Sequence, residues 1–220
     1  GTTVADEQTK KENAEVSLQL ELLYAFERER LGRLAALDQP QGEYAHPVFG
    51  EGSAHAKVLL IGEAPGAEET KHGRPFVGKA GKQLDELFHL FGISRENAYI
   101  TNVVKYRPCV RSPRSVRNRT PVPSEVEASL PLLQKELELI RPDFLCTLGN
   151  TPLKAVYRLS GEKPEVVGNV HGRQIPLTVG GVSFSLIPLY HPASGIYNRA
   201  LIEVMREDAE KVHAAIANKT

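Results

Sequence analysis

Three carboxylates, Glu63, Glu68 and Glu69, crowd into the glycine-rich stretch GEAPGAEETKHGRPF, which begins where the apolar run KVLLI stops. Two acids this close can diverge in pKa and take separate roles, although solvated loop carboxylates share the spacing. Asn102 ends a second apolar run, in YITN, where asparagine is also a common turn former. His191 follows a third, in LIPLYHPAS, and a histidine alone is more often structural than catalytic. Between Asn97 and Ser124 there is no acid, yet Lys105, Arg107, Arg111, Arg114, Arg117 and Arg119 all fall there. Such a basic loop suits a polyanion, or else pairs with nearby carboxylates in solvent. Gly62, Gly66, Gly73, Gly78 and Gly81 invite a phosphate cradle, but their spacing fits neither G-x-G-x-x-G nor G-x-x-x-x-G-K-[ST]. They better suit a backbone that comes close to a flat ligand.

These residues need elements to hold them. Residues 57–62 read as a first strand, AYITNVVKY as a second and DFLCTLG as a third. HGRQIPLTVGGVSFSLIPLYHP reads as a Gly-Gly hairpin feeding a fourth. Leu84, Leu87, Phe88 and Phe91 keep helical spacing before a stop at Gly92. Ser124 with Glu127 predicts a capping box opening a helix through Leu130, Leu133, Leu137 and Ile140, closed by Pro142. Further helices are expected from Thr151 and over residues 199–217. Residues 1–14 read as a frayed tail, followed by an amphipathic helix carrying Leu18, Leu20, Leu22, Leu23, Phe26, Leu31 and Leu34.

Strands alternating with helices predict an α/β fold, a mostly parallel four-stranded sheet covered on both faces. Ligands of such sheets bind beyond the carboxyl ends of the strands. The loops 63–78, 102–119, after Leu148 and 191–199 converge there, and they hold the residues named above.

The 220 residues suit one globular domain, with no internal repeat. Lysine plus arginine equals aspartate plus glutamate, 27 each, so bulk charge selects no partner. No apolar run approaches the roughly 18 residues of a membrane span, and the polar start does not read as a signal peptide. Cys109 and Cys146 are the only cysteines, which excludes a disulfide framework and fits a reducing compartment, with the cytoplasm expected.

GEAPGAEE, GRPFVGKAG, YITNVVKYRP, NRTPVPSE, LGNTPLKAV, HGR and HPAS together, in this order, resemble the uracil-DNA glycosylase superfamily, and among its branches family 4. The likeness runs from about Val48 to the C-terminus. It implies a three-layer α/β/α glycosylase domain over residues 48–220, with the tail and helix of residues 1–47 packing on it. It also implies a monofunctional enzyme that flips uracil from DNA and hydrolyses the N-glycosidic bond, initiating base excision repair. The alternatives are a glycosylase for another deaminated base such as hypoxanthine, or a non-catalytic binder of uracil-containing or single-stranded DNA. A monomer acting on single- or double-stranded DNA is expected.

By this resemblance Gly62, Ala64, Pro65 and Gly66 form a pocket wall, Phe76 stacks on the base, Asn102 reads its edge and His191 faces O2. Ala64 stands where other branches place an aspartate, which leaves Glu69, and after it Glu63, to position water. Lys105, Arg107, Arg119, Ser194 and Arg199 fall to DNA contacts, and Ile196 and Tyr197 to the wedge that fills the emptied stack. Family 4 carries a four-cysteine iron–sulfur cluster. Tyr106 and Ser129 occupy two of those positions, and residues before Val48 contain no cysteine, so no cluster, metal or other cofactor is expected. A branch that traps DNA covalently uses a histidine in the basic loop; this loop has none, which favours turnover.

Overall fold

A computed structural model describes residues 3–37 and 41–219. Strands β1 (Glu51–Gly52), β2 (Val58–Gly62), β3 (Tyr99–Asn102), β6 (Phe144–Leu148), β7 (Ile175–Val179) and β8 (Val182–Leu189) form one sheet, in the order β1-β3-β2-β6-β8-β7. The four central strands, β3, β2, β6 and β8, run parallel and are the four expected from the sequence. Antiparallel β1 and β7 extend the edges, β7 through the Gly180-Gly181 turn. A separate hairpin, β4 (Cys109–Ser112) and β5 (Ser115–Asn118), rises from the basic loop, where no strand was anticipated.

Strands β2, β3 and β6 are buried at every residue because both faces are covered. In β2, Leu59 and Ile61 pack towards α4 (Pro123–Ile140) and α5 (Asn150–Ser160). Val58 and Leu60 pack oppositely, towards α3 (Lys79–Phe91) and α8 (Ala200–Lys219). Leu84, Leu87, Phe88 and Phe91 are the buried stripe of α3, and Gly92, at φ 74°, ends it. The result is a three-layer α/β/α fold. Short helices α2 (Ala67–His72), α6 (Val167–Val170) and α7 (Ser194–Tyr197) lie in the connections. Among the described residues no helix is long and apolar enough to cross a membrane.

Two helix starts differ from expectation. Helix α1 runs from Val4 to Ala35, so residues 4–14 are helix rather than tail. Thr3 and Asp6 form a reciprocal capping box, with amide-to-side-chain bonds of 3.1 and 3.2 Å. Leu20 and Leu31 of α1 are buried while Leu18, Leu22 and Phe26 are exposed. In α4 the Ser124–Glu127 box does not form. Pro123 takes the first helical position, as its locked φ favours, so the reaching acid is Glu125, which accepts from the Val122 amide at 3.0 Å. Glu127 pairs with Arg158 instead.

Behind β3 lies a buried ion pair. Lys105, 3% exposed, donates its ammonium protons to Glu136, to Thr101 Oγ1 at 2.8 Å and to the Asn102 carbonyl at 2.6 Å. Glu136, with no exposure at all, also accepts from Thr101 and from Tyr24 of α1, whose hydroxyl meets that of Tyr99. Lys105 therefore cannot reach DNA phosphates, and that expectation is corrected. Breaking a buried pair from one side leaves an uncompensated charge and costs roughly 3–5 kcal/mol, whereas replacing both partners with apolar groups is often neutral. Lys105→Ala should lower the thermal midpoint by many degrees, and Lys105→Met with Glu136→Leu should recover most of the loss in the same melting experiment.

Candidate active site

The parallel strands end together, and the ends of β2 and β3 meet beside Phe76. Gly62 closes β2 and Asn102 closes β3 at the same level of the ladder. A Cβ on Gly62 would lie 2.4 Å from Asn102 Oδ1 and 2.6 Å from Phe76 Cζ. Only a bare glycine lets the amide and the ring converge there.

Phe76 is buried and adopts φ 52°, a conformation unfavourable for an aromatic residue. Its neighbours hold it there. Arg95 donates to the carbonyls of Pro75 and Phe76, the latter at 2.8 Å. A Cβ on Gly81 would come within 2.1 Å of the Phe76 carbonyl oxygen, so that helix residue must also be glycine. The Phe76 ring faces His191, with centroids 6.1 Å apart and planes 32° from parallel.

Asn102 is 3% exposed, and its Oδ1 is buried without a hydrogen-bond partner. Such an acceptor costs about 1–3 kcal/mol to leave unpaired. Its backbone carbonyl is fixed by Lys105. The side chain is thus an oriented acceptor lacking a donor. His191 supplies the opposite polarity. Its Nδ1 accepts the Ala193 amide at 3.0 Å, which places the ring proton on Nε2. Burial pushes its pKa below the ordinary histidine value, against the opposing pull of the Glu69 charge. His191 is therefore a neutral donor.

The two candidate carboxylates differ in what they hold. Glu69 Oε1 accepts the Gly66 amide at 3.0 Å, and Oε2 accepts those of Val77 at 3.0 Å and Gly78 at 2.7 Å. Both oxygens clamp backbone on either side of Phe76, which leaves this acid ill-placed to activate water. Glu63 accepts from Thr151 Oγ1 through Oε2 alone. Ala64 packs against the core beneath and Pro65 is buried, while Glu68 is exposed and lies 3.8 Å from His72.

The residues expected at DNA divide in the same way. Arg107 donates to Asn118 Oδ1 at 2.6 Å and to the Val116 carbonyl, and Arg119 to Glu125 and the Gln41 carbonyl. Both arginines brace the base of the β4–β5 hairpin, where their guanidinium groups are engaged by protein partners. Ser194, Ile196 and Tyr197 form α7 beside His191; Tyr197 is 89% exposed, and Ile196 and Arg199 are exposed with it. Arg95 and Thr151 complete the site but carry no sequence signal of their own. Thr151 falls inside the LGNTPLKAV motif, whereas Arg95 is visible only through its contacts.

An iron–sulfur cluster does not fit the residues present. Tyr106 points its hydroxyl at Glu125 and packs edge-on against Tyr44, with centroids 4.7 Å apart. Ser129 Oγ donates to the Glu125 carbonyl at 2.8 Å. Cys109 and Cys146 are buried free thiols, and burial pushes that of Cys146 up to about 12. Among the described residues no group of three or more His, Cys, Asp or Glu side chains is placed to hold a metal.

A family model for the uracil DNA glycosylase superfamily matches residues 49–214. A type-4 uracil-DNA glycosylase of Saccharolobus solfataricus is 39% identical over 173 residues, 78% of this chain and 77% of the relative. One from Thermotoga maritima is 40% identical over 171 residues, covering 77% and 82%. A type-5 uracil-DNA glycosylase of Thermus thermophilus is 32% identical over 187 residues, covering 77% and 78%. These matches show that the chain belongs to the uracil-DNA glycosylase superfamily.

Proposed function

We propose that this protein hydrolyses the N-glycosidic bond of uracil in DNA, as a monofunctional, monomeric glycosylase acting in the cytoplasm at the start of base excision repair. The observation that carries this reading is the buried, unpartnered Asn102 Oδ1 and the donor Nε2–H of His191, both near the fixed ring of Phe76. Uracil presents a donor at N3–H flanked by acceptors at O4 and O2. Asn102 accepts from N3–H and donates to O4, a pattern that cytosine reverses. His191 donates to O2. The preformed contacts repay the few kcal/mol that flipping the base costs.

As the bond between the sugar C1′ and uracil N1 breaks, its electron pair leaves with the base, and positive charge builds on the sugar. The His191 donor meets charge that accumulates at O2 only as the bond breaks, so it accelerates cleavage rather than merely tightening binding. A water oxygen then bonds C1′ and releases a proton. Glu63, with one oxygen uncommitted, positions that water, and Glu69 holds the loop and supplies a nearby fixed negative charge. Ile196 and Tyr197 occupy the gap in the stack, with Ser194 and Arg199 near the backbone. Residues 48–220 form the catalytic domain, braced by residues 1–47.

Release of free base from oligonucleotides each carrying one lesion tests the reading. Uracil release is expected from the wild type, and Asn102→Ala or His191→Ala should cut it by about 10²–10³-fold, the usual loss for one such donor. Preferential release of hypoxanthine would move the substrate, and binding without release would make the protein a reader instead. Glu63→Gln should lower kcat with the fold intact, whereas Glu69→Gln should loosen the Phe76 loop and raise KM as well. The pH profile tests His191 separately. Its folded pKa lies below the unfolded 6.5, so the neutral form dominates above 6.5, and the stability linked to it is lost only as pH falls from there towards the folded value. kcat/KM should stay level from neutral pH down through 6.5 and fall only below it; an inflection at or above 6.5 would contradict a neutral donor.

A further inference from the structure

The β4–β5 hairpin stands apart from the main sheet, and of its eight residues only Cys109 is buried. An isolated two-stranded hairpin is marginal by itself, and this one is secured at its root. Arg107 holds Asn118 and the Val116 carbonyl, Arg111 pairs with Glu43 at 3.1 Å, and the Cys109 amide donates to the Gln41 carbonyl. Cross-strand partners share a face. Cys109, Arg111, Val116 and Asn118 therefore form the face turned to the body, and Val110, Ser112, Ser115 and Arg117 the outer face. Among the described residues, Arg117 on that outer face and Arg114 in the turn have no acidic partner, whereas Arg107, Arg111 and Arg119 pair with Glu43 and Glu125. The root abuts the glycine-rich loop after β2: Asn118 Nδ2 lies 3.4 Å from where a Cβ on Gly66 would sit.

We propose that this hairpin is an arm that grips the nucleic-acid backbone to one side of the flipped nucleotide, through Arg114 and Arg117. The inference rests on the glycosylase reading for its partner, but not on catalysis. Arginines 107, 111 and 119 fix the arm, and the two free guanidinium groups supply the charge. Strands of four residues span about 13 Å at ~3.3 Å per residue. Phosphates recur every ~3.4 Å along a duplex strand, so the tip reaches about four phosphates from the pocket. Contacts of this kind carry no base preference and release counterions.

The test uses fluorescence anisotropy of the full chain with labelled uracil-containing oligonucleotides, uracil release being followed on the same samples. In one series the strand is lengthened stepwise on either side of the uracil. The wild type should gain affinity on one side as the strand passes about four nucleotides. Arg114→Ala with Arg117→Ala should lose that gain, and the Lys pair should keep it. Between about 50 and 200 mM salt the wild type should lose roughly 7-fold more affinity for single strands than the alanine pair, and roughly 12-fold more for duplex. Identical length and salt dependence in the wild type and the alanine pair would overturn the proposal. Arginine-dependent binding with no uracil released would keep the arm and remove the glycosylase reading.

Discussion

An ammonium and a carboxylate sealed behind the sheet fix the strand end that carries Asn102. Lys105 and Glu136 are each almost wholly buried, and both must be matched by further hydrogen bonds to offset the loss of water. The bonds that do so come from Thr101 and the Asn102 carbonyl on β3, and from Tyr24 on α1. The end of β3, the middle of α4 and the N-terminal helix are thereby tied to one point. Because half-satisfied buried charge is so costly, the strand end has little freedom, and the Asn102 amide inherits that rigidity. The N-terminal helix thus helps to fix the position of Asn102.

On the pocket side, polar groups are divided between those that hold the backbone and those left open. Glu69 and Arg95 grip the loop from both sides and keep Phe76 in its left-handed conformation. Asn102 Oδ1 and the Nε2–H of His191 remain open, one acceptor and one donor. The same division recurs at the basic loop, where arginines 107, 111 and 119 are engaged and 114 and 117 are not. Residue type alone cannot tell the two groups apart, but their partners can.

That division marks what was legible in the sequence. The four parallel strands, the α3 stripe and the Gly-Gly turn follow from hydrophobic period and breakers, and all are present. The motifs named Gly62, Phe76, Asn102 and His191; in the structure Gly62 lies against Asn102 and Phe76, and the Phe76 ring faces His191. Lys105 was misread because a lysine in a basic loop suggests solvent, while its partner Glu136 lies 31 residues away on a helix. Glu69 was favoured for positioning water, and no pattern announces the three amides of its own loop that it holds. The start of α1 was missed because its first turns have no apolar stripe and depend on the Thr3–Asp6 box. For Lys105 the deciding interaction joins residues whose pairing has no fixed spacing.

The central claim is that the Asn102 amide is a preset uracil reader. It is tested most directly by nitrogen-resolved NMR of side-chain amides while free uracil, and then free cytosine, is added to the wild-type protein. Uracil should shift the Asn102 amide signals to saturation, and cytosine should leave them in place. Equal shifts with both bases, or none with uracil, would contradict the account.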